Sequence, residues 1–259
     1  MPTPKKNIVI CGYPKSGTTW LSRLVADLVD APFVGDWGYD TKNKSSINLD
    51  KTDSPYRVYK SHHLGSQLDT DAIWKIIHLL RDPRDIVVSG AYFFDMPVLL
   101  DAPLREKLPT VDRVLSKGLP PKLSLKRKLD RMIEAVLHGD SSITPWMAPS
   151  WMQHLESFEG LKARTVYYEG LLSQAETSLE SIAQNLEITV SDRHIKSILE
   201  RQSMAARKEV IDQEHPKIKR LLRKGVAGDY KTQLEQKQIS RLAPLMQQTN
   251  NPYCKASYL

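Results

Sequence analysis

Asn7 to Gly12 reads NIVICG, a β-branched apolar run that ends on glycine, and a helical pattern follows it almost at once. A strand that is apolar throughout must be covered on both faces, as strands are in parallel sheets flanked by helices. From Gly17 to Asp30 the apolar residues Trp20, Leu21, Leu24, Val25 and Leu28 recur at helical spacing. Strand, glycine-containing loop and helix in this order open a nucleotide-binding α/β unit.

The rest of the chain continues the alternation. Tyr56 to Lys60 and Trp74 to Leu80 are strand-like, and the second runs into Arg81-Asp82-Pro83 and a helical run from Arg84 to Phe94. Pro83 suits a first helical turn, where its missing N–H costs nothing. Gly35 to Pro55 reads as loop and Pro97 to Pro121 as irregular. Leu123 to Leu137 reads as a basic amphipathic helix, Trp151 to Phe158 as helix and Arg164 to Tyr168 as strand. Helical patterns follow at Ser173 to Leu186, Ser191 to Glu200 and Leu234 to Gln247, with Pro244 expected to kink or shorten the last. No repeat, low-complexity tract or linker interrupts the 259 residues, so a single α/β domain with a P-loop-like parallel sheet flanked by helices is expected over 1–259.

The formal net charge of +7 suits an anionic ligand, but nucleic acid and acidic membranes equally well. Cys11 and Cys254 make no CxxC pair, which fits a reducing compartment, and Cys11 within its apolar run reads as a small buried filler. Met1 to Lys6 is short and polar, leaving no room for a signal peptide before the first strand. No apolar run approaches the roughly 20 residues of a membrane span. A soluble, cytoplasmic protein without a membrane partner is the expectation.

Three segments carry candidate chemistry. Gly12-Tyr-Pro-Lys15-Ser16-Gly17-Thr18-Thr19-Trp20 lies between strand and helix, where backbone N–H groups and the positive end of a helix dipole meet a phosphate. The glycines of the Walker A pattern are matched, but Thr18 stands where its lysine belongs and the lysine sits inside the loop, at Lys15. Arg81-Asp-Pro-Arg84-Asp85, with Ser89 two turns into the helix, lies at a strand's carboxyl end, where ligands gather in doubly wound sheets. By itself it reads more readily as solvated ion pairs and caps. Arg223-Lys224-Gly225-Val-Ala-Gly228-Asp229-Tyr230-Lys231 places two cations before a glycine, letting side chains and backbone approach one phosphate. Alone it is a basic surface loop.

Taken together, the segments resemble the PAPS-dependent sulfotransferases of the cytosolic, small-molecule type (PAPS is 3′-phosphoadenosine 5′-phosphosulfate). That family's YPKSGTTW loop is intact from Tyr13 to Trp20. Its arginine and serine eight residues apart are matched by Arg81 and Ser89, its KTH or KSH by Lys60-Ser61-His62, and its RKGxxGDWK by RKGVAGDYK. The resemblance implies the sulfotransferase fold, PAPS as co-substrate, PAP (adenosine 3′,5′-bisphosphate) as product, and no metal. By position it implies that Lys15 stabilises the charge growing on the leaving phosphate. Ser16, Gly17, Thr18 and Thr19 would hold the 5′-phosphate and Trp20 would stack on adenine, with Tyr168 close by. Arg81, Ser89, Arg223, Lys224 and Gly225 would hold the 3′-phosphate. His62 would be the general base, assisted by Lys60. Tyr230 departs from the family's tryptophan, and the Thr-Val pair of its dimer motif is missing after Lys231, so no oligomeric state is carried over.

Two other readings compete. A P-loop kinase or NTPase explains the first loop but lacks the Walker lysine and leaves His62, Arg81, Ser89 and the Arg223 segment unassigned. A nucleic-acid-binding module explains the net charge but has no recognition motif, and no nucleic-acid partner is expected. For the acceptor, Asp36, Trp37, Tyr39 and Asp40, then Tyr92, Phe93, Phe94 and Asp95, set rings beside carboxylates, which suits a small polar or cationic molecule. The same residues read equally as core rings and solvated aspartates.

If Arg57 to His63 is extended, Lys60 and His62 share a face towards the loop while His63 points away. His62→Ala should then lower turnover by about 10²–10⁴-fold, and Lys15→Ala by about 10²–10³-fold. Nucleotide affinity in His62→Ala, followed by calorimetry, should stay near wild type. Full activity in His62→Ala beside a dead His63→Ala would overturn the assignment of faces.

Overall fold

Ile8, Val9 and Ile10 offer water no face of their strand, and all three are fully buried at the centre of a parallel sheet. The computed structural model describes residues 5–38, 53–100, 104, 107–208, 223–249 and 251–255; Tyr39 and Asp40 lie outside them. The strands are β1 (Lys6–Cys11), β2 (Phe33–Asp36), β3 (Tyr56–Ser61), β4 (Lys75–Leu80) and β5 (Ala163–Tyr167), in spatial order β2-β3-β1-β4-β5. The helices are α1 (Thr18–Leu28), α2 (Pro83–Phe93), α3 (Pro109–Lys117), α4 (Pro121–His138), α5 (Trp151–Glu156), α6 (Tyr168–Ser173), α7 (Ala175–Asn185) and α8 (Asp192–Arg201). They continue with α9 (Tyr230–Gln233), α10 (Gln236–Gln248) and α11 (Pro252–Lys255).

The chain divides into two compact units, Met1–Asp82 with His154–Ala227, and Pro83–Gln153 with Gly228–Leu259. In the first, every strand pairing is parallel, with Ile10 opposite Lys60, Cys11 opposite His78 and Leu80 opposite Tyr167. Ile8 and Ile10 pack into a core with Leu21, Leu24 and Val25 of α1, completed by α6, α7 and α8. Val9 and Cys11, pointing the other way, join Leu68, Ile76 and Phe158. Parallel strands bring their carboxyl ends to one edge. Gly12 to Thr19 follows β1, His62 follows β3, Arg81 follows β4 and Tyr168 follows β5, so topology alone gathers them where open α/β sheets bind ligands.

The second unit is helical. Ile86, Val87 and Val88 of α2, Met132, Ile133 and Val136 of α4, and Leu242, Leu245 and Met246 of α10 are buried, and the three helices pack on one another. Gly90 lets α2 and α4 approach, since a Cβ there would stand 2.3 Å from the Met132 methyl. Among the described residues no helix is long and apolar enough to cross a membrane.

Four local expectations are corrected. β2 lies inside the expected loop; it is a four-residue edge strand with a register shift at Gly35, too short to show a period. Pro109 and Pro121 each begin a helix rather than mark irregular chain, because proline suits a first turn. Tyr168 starts a helix instead of ending a strand. Pro244 lies inside α10, which continues to Gln248 with Leu242, Leu245 and Met246 buried around the proline, and packing outweighs the lost hydrogen bond.

Candidate active site

The loop after β1 is tightly constrained. Gly12 passes so close to β4 that a Cβ would stand 2.8 Å from the Leu79 carbonyl. Lys15 has φ 73, a left-handed conformation that costs a non-glycine residue about 1–3 kcal/mol and is retained where the surroundings over-determine it. Gly17 has φ 99 and lies under the Tyr168 ring, which a Cβ would meet at 2.8 Å. Its carbonyl accepts from the N–H groups of Trp20 and Leu21 (3.0 and 3.1 Å), opening α1. The first N–H groups of a helix have no intrahelical acceptor, so this end of α1 offers donors to an anion.

Ser16 supplies an independent sign of a ligand. It is 1% exposed, and among the described residues its Oγ has no hydrogen-bond partner. Arg81 supplies another. Its Nη1 donates to the Lys15 carbonyl (3.0 Å), its Nη2 to the Val226 carbonyl (3.4 Å), and its guanidinium lies 4.2 Å from the centre of the Tyr168 ring, yet its buried Nε is unpartnered. Buried donors left unmatched are costly, and oxygens of a phosphate-bearing ligand would satisfy them. The residues present therefore fit a phosphate-bearing ligand. Trp20 is half-buried, its Nε1 bonded to the Gln202 carbonyl (3.1 Å) and its ring edge-on to Tyr168.

His62 is held against this loop. Its Nδ1 lies 2.7 Å from the Gly12 carbonyl, which can only accept, so Nδ1 carries the proton. In the neutral ring Nε2 is then the basic nitrogen. Desolvation pushes the His62 pKa down to about 4; the Gly12 bond and Asp36 oppose this, while Lys60 and Lys15 reinforce it. His63 turns elsewhere, with Nδ1 2.8 Å from the Ser61 hydroxyl. Lys60 pairs with Asp36 at 2.9 Å. Desolvation, then Arg81 and Lys60, lowers the Lys15 pKa to about 7.

Arg223 is half-buried and Lys224 exposed. Gly225 has φ 65, and a Cβ there would press on the Met204 sulfur at 2.7 Å. Ser89 lies in the second unit, half-buried on α2.

Of the residues expected at the acceptor, Asp36 and Trp37 belong to the first unit and Phe93, Phe94 and Asp95 to the second. Asp36 is not the isolated carboxylate a cationic acceptor calls for, because Lys60 already holds it. Trp37 is half-buried, edge-on to Tyr59 and packed against the Val9 and Cys11 cluster. In the second unit, Phe93 and Phe94 pack edge to face, with centroids 5.1 Å apart. Asp95 lines a cavity of about 490 Å³ together with Arg113, Lys117 and Lys128, where cations outnumber it.

Several contributors escaped the sequence reading. The Gly12 carbonyl sets the His62 tautomer, Asp36 neutralises Lys60, and the buried Glu169 accepts from the Asp82 N–H at 2.8 Å. Behind His62 lie His78, stacked on Phe158 with ring centroids 3.9 Å apart, and His154, bonded to the His63 backbone. Only the tyrosine–glutamate pair at 168–169 carried any motif signal. The others depend on backbone atoms or on contacts distant in sequence.

The parallel sheet, the constrained loop after β1 and the imidazole held against it form a site that fits a phosphate-bearing ligand. The sulfotransferase domain family matches residues 5–251, and the chain belongs to the sulfotransferase family. It is 25% identical to mouse sulfotransferase 2A6 over 87% of this chain and 78% of that one. Identity to human sulfotransferase 2A1 is 26%, over 94% of this chain and 84% of that one. Its fold is similar to that of mouse sulfotransferase SULT7A1 complexed with PAP (TM-score 0.67, 19% identity, 99% and 90% of the chains). It is also similar to retinol dehydratase in complex with androsterone and PAP (TM-score 0.64, 17% identity, 98% and 84%).

Burial holds His62, His78 and His154 neutral in the folded chain, with His78 pushed down to about 3. The unfolded chain takes up their protons near pH 6.5, so it binds more protons than the folded one below that pH. Stability should therefore be level above about pH 6.5 and fall below it, by up to about 1.4 kcal/mol per pH unit for each histidine. Thermal unfolding from pH 8 to 5 checks this. His78→Phe, which keeps the stack on Phe158, should flatten the slope; an unchanged slope would show that other groups set it.

Proposed function

We propose that the protein transfers the sulfuryl group of PAPS in line to a hydroxyl or amine of a small-molecule acceptor and releases PAP. The observation that carries this reading is the His62–Gly12 bond, which ties the base to the turn that would cradle the sulfated phosphate. His62 Nε2 takes the acceptor's proton as the nucleophile bonds to sulfur and the bridging S–O bond breaks. The electron pair passes to the 5′-phosphate oxygen, where Lys15 offsets the growing charge. Lys60 assists at the transferring group, its position supported by Asp36. Ser16, Gly17, Thr18 and Thr19 hold the 5′-phosphate. Arg81, Arg223, Lys224 and Gly225 hold the 3′-phosphate, with Trp20 and Tyr168 about the adenine. The unmatched Ser16 Oγ and Arg81 Nε support the phosphate assignments.

Calorimetry with PAP against ATP–magnesium tests the reading. PAP should bind and lose affinity steeply in Arg81→Ala, since charge-assisted contacts to a phosphate are the strong ones. Preference for ATP–magnesium would favour a kinase or NTPase instead.

The pH dependence of kcat/KM follows from the same groups. His62 must be neutral and Lys15 charged in the free enzyme. The acid limb should lie well below 6.5, near 4, and the alkaline limb near 7. Lys15→Arg, which does not titrate in this range, should lose the alkaline limb at whatever rate remains. An alkaline limb that persists would assign it to another group.

A further inference from the structure

The segment Arg84-Asp85 has no role in the mechanism above, yet both side chains are among the most buried charges in the protein, at 2% and 1% exposure. Asp85 lies in the first turn of α2, where a carboxylate is favoured by the helix dipole. Its Oδ2 accepts from the Gly228 N–H at 2.7 Å and its Oδ1 from the Tyr230 N–H at 3.0 Å. One carboxylate thus spans two backbone donors on either side of Asp229. Gly228 is in the left-handed region, with φ 79, and Tyr230 begins α9. Arg84 completes the grip, its guanidinium 4.0 Å from the centre of the buried Tyr230 ring. Two neighbouring residues therefore hold the same short stretch, one by its backbone and the other by its ring.

The stretch they hold is the far end of the third basic motif. Gly228 follows Gly225 by three residues, a tether of about 10 Å at most. The two captured N–H groups are also withdrawn from any ligand, so an anion at this motif must be read by what precedes them. We propose that Asp85 is a positioning residue for nucleotide selectivity: by fixing Gly228 and Tyr230 it limits where Arg223, Lys224 and Gly225 can stand, and so favours nucleotides that bear a 3′-phosphate. The proposal rests on the reading above that these three residues hold that phosphate. Asp85 does not touch the nucleotide; it acts through the loop.

The test compares two ligands by calorimetry, PAP and adenosine 5′-monophosphate, on wild type, Asp85→Asn, Asp85→Ala and Arg223→Ala, with thermal unfolding of each variant. Wild type should prefer PAP, and Arg223→Ala should lose much of that preference. Asp85→Ala should narrow it roughly tenfold or more, while affinity for the monophosphate changes less than about twofold. Asp85→Asn, which offers one acceptor and turns an N–H towards an N–H, should fall between. A residue with only a structural role would lower the unfolding temperature and the active fraction but leave the ratio of the two affinities alone, and that result would overturn the proposal. Should Asp85→Ala fail to fold, wild-type selectivity in Asp85→Asn has the same force. No preference for PAP in wild type would remove the 3′-phosphate reading itself, and the proposal with it. Wild-type preference lost in Arg223→Ala but kept in both Asp85 variants would remove the proposal alone.

Discussion

The site depends on how firmly β1 is held. It is hydrogen-bonded along both edges, to β3 and β4, and buried on both faces, so its carboxyl end is fixed with little freedom to relax. The chain leaves that end through a turn with left-handed φ at Lys15 and Gly17 and no room for a side chain at Gly12. Strain of this kind persists only where packing on all sides over-determines the backbone. Here the Leu79 carbonyl, the Tyr168 ring and the Arg81 guanidinium provide that packing. The Gly12 carbonyl then orients His62, which makes one rigid strand end responsible both for the shape of the loop and for the tautomer of the imidazole.

Electrostatics complete the arrangement. Desolvation first, and then the charges of Arg81 and Lys60, depress the pKa of Lys15, and Asp36 pairs with Lys60. Such crowding of cations in a partly desolvated place is unfavourable without an anion and favourable with one. The same surroundings keep His62 neutral, the form a base requires. An anionic co-substrate would raise both pKa values, bringing Lys15 to full charge and making His62 a better proton acceptor as the complex forms. Charge complementarity and proton chemistry are thus set by one group of side chains.

The helical unit shows how residues outside the chemistry can shape a motif. Asp85 and Arg84 spend their charges on backbone and ring rather than on solvent. Removing the Asp85 carboxylate would leave the Gly228 and Tyr230 N–H groups unmatched, at a larger cost than the bonds themselves gain. This accounts for charges so deeply buried on a helix whose remaining residues are uncharged.

The sequence by itself determined the class of fold and marked the segments that the proposed function assigns to phosphate. An apolar run, a glycine-bounded loop and a helical period are local patterns, and the loop's Lys15, Ser16 and Thr18 lie within a few residues of one another. The ends of β3, β4 and β5 were legible for the same reason, as motifs placed where strands stop. Weak local periods went unread at the edge strand β2 and the proline-led helix α3. Only the tertiary structure decided which partner each charged group takes. Asp36 went to Lys60 rather than standing open for an acceptor, Asp85 went to two N–H groups more than a hundred residues away, and His62 went to a backbone carbonyl. A residue's type limits what it can bond, but the bond it makes depends on which strands are neighbours and which faces are dry, and neither is written in any local stretch of the chain.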